Sequence, residues 1–329
     1  MEKVQWGVLG AATIAVEQVI PAMLKSKYCN VLAIASRNKV KAQKTAEKFG
    51  ISKCYEGYQE LLNDADIEAV YIPLPNHLHV EWAIKALKAG KHVLVEKPAG
   101  MNAKEVLGLQ DEAQKNPGLK VMEAFMYKFH PQWVKAKELI DSGEIGTLKT
   151  IQSSFSFFDD DATSITNRKS FGGGSLMDIG CYSISISRLL FGEEPKSVMA
   201  SIEYHPEYEV DILASGILEF EQGNATFFCA TQLDYTQQAQ IFGTKGSIRF
   251  EIPFNPPNDR PSKMWLTKDE VITEIEFEIC DQYTLQADAF SLAILEDKAT
   301  PVPLDDAIDN LTVIGKLHES HRLGSRVTI

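Results

Sequence analysis

Two short segments of the chain carry side chains that could hold a substrate oxygen and move its proton. The first is Glu96-Lys97-Pro98, which directly follows the apolar run Val93-Leu94-Val95. The second contains Asp178 and Tyr182, which are four residues apart. If a helix begins at residue 176, these two side chains lie on one helical face. An ammonium group, a carboxylate and a phenol can all take part in acid–base chemistry at hydroxyl and carbonyl oxygens.

Both segments also have a structural interpretation. Lys97 could be a surface lysine at a solvated strand end, although the apolar run before it and Pro98 after it favour a fixed position. Asp178 could cap the first turn of a helix, where the helix dipole favours its ionised form, and Tyr182 could be half-buried core. From the spacing alone, this structural interpretation of Asp178 and Tyr182 is favoured. The preceding Gly172-Gly173-Gly174 would allow a ligand or another domain to approach the backbone closely.

A candidate nucleotide-binding turn follows the first predicted strand, Val4–Leu9. The sequence Gly10-Ala11-Ala12-Thr13-Ile14-Ala15 has the spacing of GxGxxG, with alanine at the second and third glycine positions. In such a turn the first glycine makes the bend, the second admits a pyrophosphate, and the third packs helix against strand. A plain strand-to-helix turn is the alternative. The context of strand, turn and helix favours dinucleotide contacts from Gly10, Ala12, Thr13 and Ile14.

The end of the second predicted strand indicates which dinucleotide is bound. NAD sites usually place Asp or Glu there, about 20 residues after the glycines, to bind the ribose 2′-hydroxyl. This chain has Ala35-Ser36-Arg37-Asn38 instead. Ser36 can donate a hydrogen bond to a 2′-phosphate, and Arg37 can pair with that phosphate and stack on adenine. The sequence therefore favours NADP, with NAD as the alternative if Arg37 only belongs to a solvated loop.

Further cofactor contacts are expected from the ends of later strands, because doubly wound folds bind ligands at the carboxyl ends of parallel strands. The loop Pro73–His79 would lie against the nicotinamide. His77 and His79 alternate, but without a Cys or carboxylate partner we predict local hydrogen bonds and no metal site. His318 and His321 also lack a third ligand. The expected contacts come from Leu74, Pro75, Asn76, His79, Glu96 and Lys97.

Two kinds of domain must position these segments. Up to about residue 120, apolar strands alternate with helices, which predicts an α/β Rossmann domain with a doubly wound parallel sheet. Its strands are predicted at 4–9, 31–35, 69–72 and 92–95. After residue 145, strand-like runs follow one another and predict a C-terminal α+β domain with an open, mainly antiparallel sheet. We predict a dinucleotide-binding domain over 1–124 and a substrate-binding and oligomerisation domain over 125–329, whose last helix could pack back on the first.

Length and composition agree with two domains and exclude several classes of protein. The chain has 329 residues, with 33 Lys and Arg against 45 Asp and Glu, a formal net charge of −12. This balance argues against nucleic acid as a partner. No apolar run approaches the ~20 residues of a membrane span, and the first residues lack the pattern of a signal peptide. Five scattered cysteines without a CxxC pair predict buried thiols in a reducing compartment, the cytoplasm.

Taken together, the motifs resemble the Gfo/Idh/MocA family of oxidoreductases over essentially the whole chain. The matching segments, in family order and spacing, are Gly10–Ala15, Glu96–Pro98, Glu123–Pro131 and Gly172–Tyr182. The resemblance implies that Lys97 is the catalytic lysine, that Asp178 orients the substrate, and that Tyr182 is the general acid/base. Tyrosine here, with Ala35-Ser36-Arg37, is similar to the branch of NADP-dependent xylose dehydrogenases and dimeric dihydrodiol dehydrogenases. Arg168 is a secondary candidate, since the family often has a basic residue there near the cofactor.

The expected function is an NADP-dependent oxidoreductase that transfers a hydride between nicotinamide and a hydroxyl or carbonyl carbon of a sugar, polyol or diol. A phenol has a pKa near 10, which a nearby ammonium group would lower, so Lys97 would assist Tyr182. The alternatives are an NADPH-dependent reductase of dicarbonyls or ketosugars and a non-catalytic NADP-sensing protein. Damage to the lysine or the tyrosine would mark the sensor, and both are present. The resemblance further implies a homodimer through the C-terminal sheet.

Overall fold

The computed structural model describes residues 2–329, which form two compact units. The first unit comprises the residues up to Met126 together with Asp281–Ile308, and the second comprises Tyr127–Cys280 together with Asp309–Ile329. A single boundary at residue 124 or 125 therefore does not describe how the chain is divided.

The first unit is built on a six-stranded sheet in which every neighbouring pair is parallel. The strand order is β3-β2-β1-β4-β5-β6. This is the order of a Rossmann fold, in which the crevice beside β1 and β4 binds the ligand. The parallel α/β fold predicted from sequence is confirmed. The strands are β1 (Val4–Leu9), β2 (Cys29–Ser36), β3 (Lys53–Glu56), β4 (Ala69–Ile72), β5 (His92–Glu96) and β6 (Val121–Ala124).

Helices connect these strands, and the first of them begins with a π-helical turn, Ala15–Val19. Helix α2 begins at the cap Asn38, whose Oδ1 accepts a hydrogen bond from the amide of Lys41, and it ends at Gly50. Both ends follow from residue type, since asparagine caps helix starts and glycine adopts the left-handed conformation that stops a helix. The helices of this part are α1 (Ile20–Lys25), α2 (Lys39–Phe49), α3 (Tyr58–Leu62), α4 (His79–Lys88) and α5 (Ala103–Gln114).

The second unit contains a nine-stranded sheet with the order β14-β13-β12-β11-β7-β10-β9-β8-β15. Only β7 and β10 pair in parallel; the other pairs are antiparallel, as the sequence predicted. The strands are β7 (Leu148–Phe158), β8 (Ser197–Tyr204), β9 (Asp211–Glu219), β10 (Asn224–Ala230), β11 (Gln232–Gly243), β12 (Gly246–Phe250), β13 (Ser262–Lys268), β14 (Val271–Phe277) and β15 (Val327–Thr328). The helices are α6 (Pro131–Asp141) and α7 (Cys181–Phe191).

The segment Asp281–Ile308 belongs to the first unit because its helix α8 (Gln282–Leu295) packs there. Trp6 in β1 is fully buried, and its indole Nε1 donates to Ser291 Oγ at 3.2 Å. The rings of Trp6 and Phe290 lie 5.8 Å apart. A buried indole requires such a hydrogen-bond acceptor. Helix α9 (Leu304–Leu323) then begins in the first unit and continues into the second.

No helix among the described residues is long and apolar enough to cross a membrane. Within residues 2–329, no group of three or more His, Cys, Asp or Glu side chains is arranged to hold a metal ion.

Candidate active site

The turn after β1 has the geometry of a phosphate-binding turn. Gly10 has a φ of 127°, a conformation that other residues rarely adopt. A Cβ at this position would lie 3.1 Å from Leu74 Cδ2. The amide of Val16 donates to the carbonyl of Ala12 at 3.0 Å, so the helix begins directly after the turn. The amides of the first helical residues lack partners inside the helix, and such amides bind anionic groups. The turn therefore fits a pyrophosphate.

The end of β2 presents a hydroxyl and a guanidinium group. Ser36 is buried and its Oγ accepts a hydrogen bond from the amide of Asn38 at 3.2 Å, whereas Arg37 is exposed. Burial raises the pKa of Tyr58, and the charge of Arg37 together with its hydrogen bond to this phenol partly opposes the rise. Arg37 is thus held beside Tyr58 with no carboxylate at the strand end itself. This arrangement fits an adenosine that carries a 2′-phosphate.

The loop after β4 is tied to the segment after β5 through His79. Leu74 and His79 are buried, and the 3₁₀ turn Asn76–Leu78 follows Pro75. The His79 Nε2 lies 2.5 Å from the carbonyl oxygen of Leu74, and Nδ1 lies 2.8 Å from that of Pro98. We predicted a cofactor contact from His79, but both ring nitrogens face backbone carbonyls inside the unit. The ring therefore lies between the two loops that carry the other predicted contacts, and in its neutral form it donates a hydrogen bond to one of the two carbonyls.

Replacing His79 with glutamine should flatten the dependence of stability on pH. Burial lowers the pKa of His79 from 6.5 to about 4, so the unfolded chain binds more protons between these values. Its contribution to stability is complete above about pH 6.5 and is lost as the pH falls towards 4, by at most about 1.4 kcal/mol per pH unit. Burial likewise lowers the pKa values of His92 and His130 to about 4, so part of the slope should remain. Urea unfolding of both proteins at pH 7 and pH 5 measures how their free energies of unfolding depend on pH. An equal dependence on pH in variant and wild type would refute the assignment.

Lys97 lies at the carboxyl end of β5, in a cluster of charged and phenolic groups. The Tyr71 hydroxyl donates to Glu96 Oε1 at 2.6 Å, and the Lys97 amide donates to Glu96 Oε2 at 3.2 Å. Tyr283 from α8 belongs to the same cluster. Burial and the charge of Glu96 raise its pKa, whereas the charge of Lys97 opposes this rise. These two hydrogen bonds hold the Glu96 carboxylate, and the charge of Lys97 acts on the hydroxyl of Tyr283.

Tyr71 and Tyr283 were missed in the sequence. Tyr71 lies inside a predicted strand, where the sequence indicates only a residue of the hydrophobic core. Tyr283 is far from the motif in sequence and reaches Glu96 and Lys97 only because α8 returns to this unit. No local pattern identifies it.

In the second unit, Asp178 and Tyr182 lie at the start of one continuous helix. Its first turn, Leu176–Gly180, is π-helical, and α7 follows from Cys181. Asp178 is partly exposed, and its amide donates to the carbonyl of Gly174 at 3.0 Å. The predicted helix is present, with its first turn wider than the α-helical spacing assumed. Such π-helical turns are frequent at functional sites.

The ring of Tyr182 is enclosed by aromatic side chains of the same unit. Its centroid lies 5.2 Å from that of Phe254, 5.7 Å from Phe155 and 5.8 Å from Tyr127. The side chain is only 5% exposed. Aromatic contacts at these distances restrict the ring to one orientation. The sequence predicted Tyr182 and included Tyr127 in a motif, but it gave no signal for Phe155 or Phe254.

The segment that carries Phe254 is held by three side chains. Gln132 Nε2 and Trp133 Nε1 donate to the carbonyl of Pro253 at 2.9 and 2.7 Å. Gln237 Oε1 accepts from the amide of Phe254 at 3.2 Å. These bonds fix an irregular segment after β12, so Phe254 can act as a rigid wall for the Tyr182 ring.

Arg168 also lies in the second unit, before the glycine run. Its guanidinium group is 5.1 Å from the centroid of the Phe171 ring. The pKa of Asp161 is lowered mainly by hydrogen bonds from Thr163, and the charge of Arg168 adds to this effect. Within its own unit, Arg168 therefore has aromatic and acidic neighbours.

Comparison with known proteins identifies relatives for both units. Residues 4–125 match a family described as an oxidoreductase family with an NAD-binding Rossmann fold, and residues 133–249 match the GFO/IDH/MocA C-terminal domain. An oxidoreductase of Rhizobium meliloti is 41% identical over the whole of both chains. The D-xylose 1-dehydrogenase (NADP(+)) 2 of Haloferax volcanii is 36% identical over 98% of this chain and 99% of its own.

A solved structure is similar over nearly the whole chain. It is a 3-ketoreductase from Actinomadura kijaniata in complex with NADP and TDP-benzene, 29% identical, with a TM-score of 0.91 over 97% of this chain and 98% of that one. The same ketoreductase has been solved with a tyrosine replaced by phenylalanine and with a lysine replaced by alanine, both in complex with TDP-benzene and NADP.

Proposed function

The chain belongs to the Gfo/Idh/MocA family of oxidoreductases, and we infer from this that it is an NADP-dependent dehydrogenase or reductase of a sugar, polyol or diol. Its relatives include a dehydrogenase of D-xylose and a 3-ketoreductase solved with a TDP compound. Both act at a carbon that alternates between a hydroxyl and a carbonyl group. The observation that carries the proposal is the combination of an acid-free β2 end with Lys97 after β5.

NADP is the cofactor that fits the first unit. The positive φ of Gly10 and the helix start after Ala12 suit a pyrophosphate. Exposed Arg37, beside buried Ser36, suits the 2′-phosphate. Remaining contacts are proposed from Thr13, Ile14, Leu74, Pro75, Asn76 and Glu96. Relatives of known cofactor, the xylose dehydrogenase and the ketoreductase, use or bind NADP.

The proposed mechanism divides the work between three side chains. Bound NADP supplies the nicotinamide carbon that accepts or gives the hydride. Tyr182 takes the proton of the substrate hydroxyl during oxidation and returns it to the carbonyl oxygen during reduction. Lys97 donates a hydrogen bond to the reacting oxygen and stabilises the negative charge that develops there. Asp178 accepts a hydrogen bond from a substrate hydroxyl and so orients the substrate. Arg168 is a further candidate contact.

An NADPH-dependent ketosugar reductase is the second candidate, favoured by the similarity to the 3-ketoreductase over 97% of the chain. The two candidates differ in the physiological direction of one reaction. Initial rates with NADP⁺ on aldoses, polyols and trans-dihydrodiols, and with NADPH on dicarbonyls and ketosugars, separate them. Turnover in neither direction, with NADP bound, would overturn both and leave a sensor of NADP.

Replacing Arg37 with glutamine should weaken NADP binding by roughly 10- to 100-fold, because a charge-assisted hydrogen bond to phosphate is lost. Binding of NAD, which lacks the 2′-phosphate, should stay at its wild-type value. Fluorescence titration of the free enzyme with both cofactors measures this. Lys39→Gln, which removes another exposed positive charge at the start of α2, is the matched control. Equal weakening of NAD and NADP by Arg37→Gln would show that Arg37 does not select the cofactor.

We also propose a homodimer through the uncovered face of the nine-stranded sheet. A cavity of about 380 Å³ on this face is lined by polar and aromatic side chains of four strands, including Gln152, Ser154, Thr226, Phe228 and Gln238. A mainly antiparallel sheet can leave one face exposed to solvent, so this face is available to a second copy of the chain. Light scattering at micromolar concentration tests the oligomeric state, and a strict monomer would count against the dimer. The five free cysteines support a reducing compartment such as the cytoplasm.

A further inference from the structure

A buried carboxylate from strand β9 holds the start of the helix that bears Asp178 and Tyr182. Asp211 is the first residue of β9 and is only 3% exposed. Its Oδ2 accepts hydrogen bonds from Ser175 Oγ at 2.8 Å and from the amide of Leu176 at 2.6 Å. A helix start normally receives such a bond from its own cap residue, but Ser175 makes none to the helix. Asp211 takes over this role from a neighbouring strand.

The glycines before this helix are shaped around the same carboxylate. Gly174 has a φ of 116°, and a Cβ at this position would overlap the Asp211 Oδ1. A Cβ at Gly173 would overlap the carbonyl of Thr166. The glycine run predicts that a group can approach the backbone closely. At these two positions the approaching groups belong to the protein itself. Glycine at position 174 therefore leaves the space that the Asp211 carboxylate occupies beside the backbone where the helix begins.

Asp211 is also surrounded by polar groups from three other elements. Burial raises its pKa, and the charge of His318 in α9 opposes that rise. The Tyr204 hydroxyl in β8 lies 2.9 Å from His318 Nδ1. Cys229 Sγ in β10 lies 3.6 Å from Ser175 Oγ. Hydrogen bonds to a buried carboxylate are stronger than those between neutral groups, so the helix start is fixed firmly.

We propose that Asp211 is a positioning residue, whose hydrogen bonds to Ser175 and Leu176 hold the π-helical turn so that Asp178 and Tyr182 meet the substrate correctly. This inference rests on the proposed function of those two side chains. The first turn carries Asp178, and Tyr182 follows at the start of α7, so a shift of this turn displaces both. Misplacement of reacting groups by about 1 Å can lower a rate about 100-fold.

The test compares Asp211→Leu and Asp211→Asn in the full-length protein. Leucine removes both acceptors, so kcat should fall by about 10- to 100-fold, while the Kd of NADP should stay unchanged. Asparagine keeps one carbonyl oxygen as acceptor and should restore most of the lost kcat. Hydrogen exchange of the amides in 174–182 should rise in the leucine variant and recover in the asparagine variant. Exchange is measured without turnover, so it reports on the helix even if no substrate is found.

Ser197→Ala is the matched control. It removes a hydroxyl–carboxylate hydrogen bond of 2.7 Å, from Ser197 to Glu219, in the same sheet, and it should leave kcat and the exchange of 174–182 unchanged. If Asp211→Leu does not fold, Ser175→Ala serves in its place and should give a smaller change of the same kind. Wild-type kcat and wild-type exchange in Asp211→Leu or Ser175→Ala would overturn the positioning role. Absence of turnover in the wild type would instead overturn the proposed function.

Discussion

Replacing Tyr182 with phenylalanine should lower kcat by about 10²- to 10⁴-fold, the usual contribution of a general acid or base. Phenylalanine keeps the ring and its packing on Phe155 and Phe254, so the side chain should stay where the tyrosine was. Only the hydroxyl that we propose carries the proton is removed. The Kd of NADP should not change, because we propose no contact between Tyr182 and the cofactor. Steady-state rates and a cofactor titration on the same preparation measure both quantities.

Tyr55→Phe is the control for this loss of a hydroxyl. Tyr55 lies in β3, and its hydroxyl donates to Asp64 at 2.8 Å. The hydrogen bond lost has a carboxylate partner, but we assign Tyr55 no part in the reaction, so kcat should remain close to the wild-type value. A Tyr182→Phe enzyme as active as the wild type would show that another group carries the proton.

Replacing Lys97 with methionine should lower kcat by about 10²- to 10³-fold, as removal of one donor to a developing oxyanion does. Methionine retains a flexible apolar stem, so the packing around the end of β5 is changed little. The charge near Glu96 and Tyr283 is lost, and with it the proposed hydrogen bond to the substrate oxygen. Single-turnover rates at saturating NADP separate this loss from any change in cofactor binding.

Lys120→Met removes a different lysine of the first unit, whose Nζ pairs with Asp297 at 2.8 Å. Its rate should match that of the wild type. If Lys97→Met kept full turnover while NADPH still bound, Lys97 would not be a catalytic residue. Loss of NADPH binding alone would assign Lys97 to the cofactor and leave the reacting oxygen without its proposed donor.

The site residues that the sequence predicts are those whose signal lies in a continuous motif. Gly10 follows an apolar strand, and Lys97 follows another, so the strand ends alone place them at the same edge of the sheet. The glycine run and the spacing of Asp178 and Tyr182 predict a helix start. In each case the chemistry and the element that carries it are neighbours in the chain.

The residues that the sequence misses are joined to the site by long-range packing. Asp211 is separated by 36 residues from Ser175, and nothing near it in the chain indicates a helix to be capped. Tyr283 reaches Lys97 only through the return of α8. The position of His79 in a loop predicts a cofactor contact. Its ring nitrogens instead lie beside the carbonyls of Leu74 and Pro98, and no local pattern reveals the approach of these two loops.

Short strands are missed for a related reason. Strand β3 has four residues with alternating partial exposure, and β6 has four residues that include Glu123. Neither forms the continuous apolar run that marked the other strands of this sheet. Pairing with β2 and with β5 makes them strands, and pairing is a property of the tertiary structure.

The hydrogen bond between Trp6 and Ser291 sets a time order for the synthesis of this protein. The two residues are 285 positions apart, so at 5–20 residues per second the ribosome makes the second roughly 15–60 s after the first. During that interval the indole of Trp6 lacks both its acceptor and the Phe290 ring. The N-terminal nucleotide-binding fold is therefore finished near the end of translation. A nascent chain halted at residue 126 should expose apolar surface that ribosome-associated chaperones bind, and release should follow the emergence of α8.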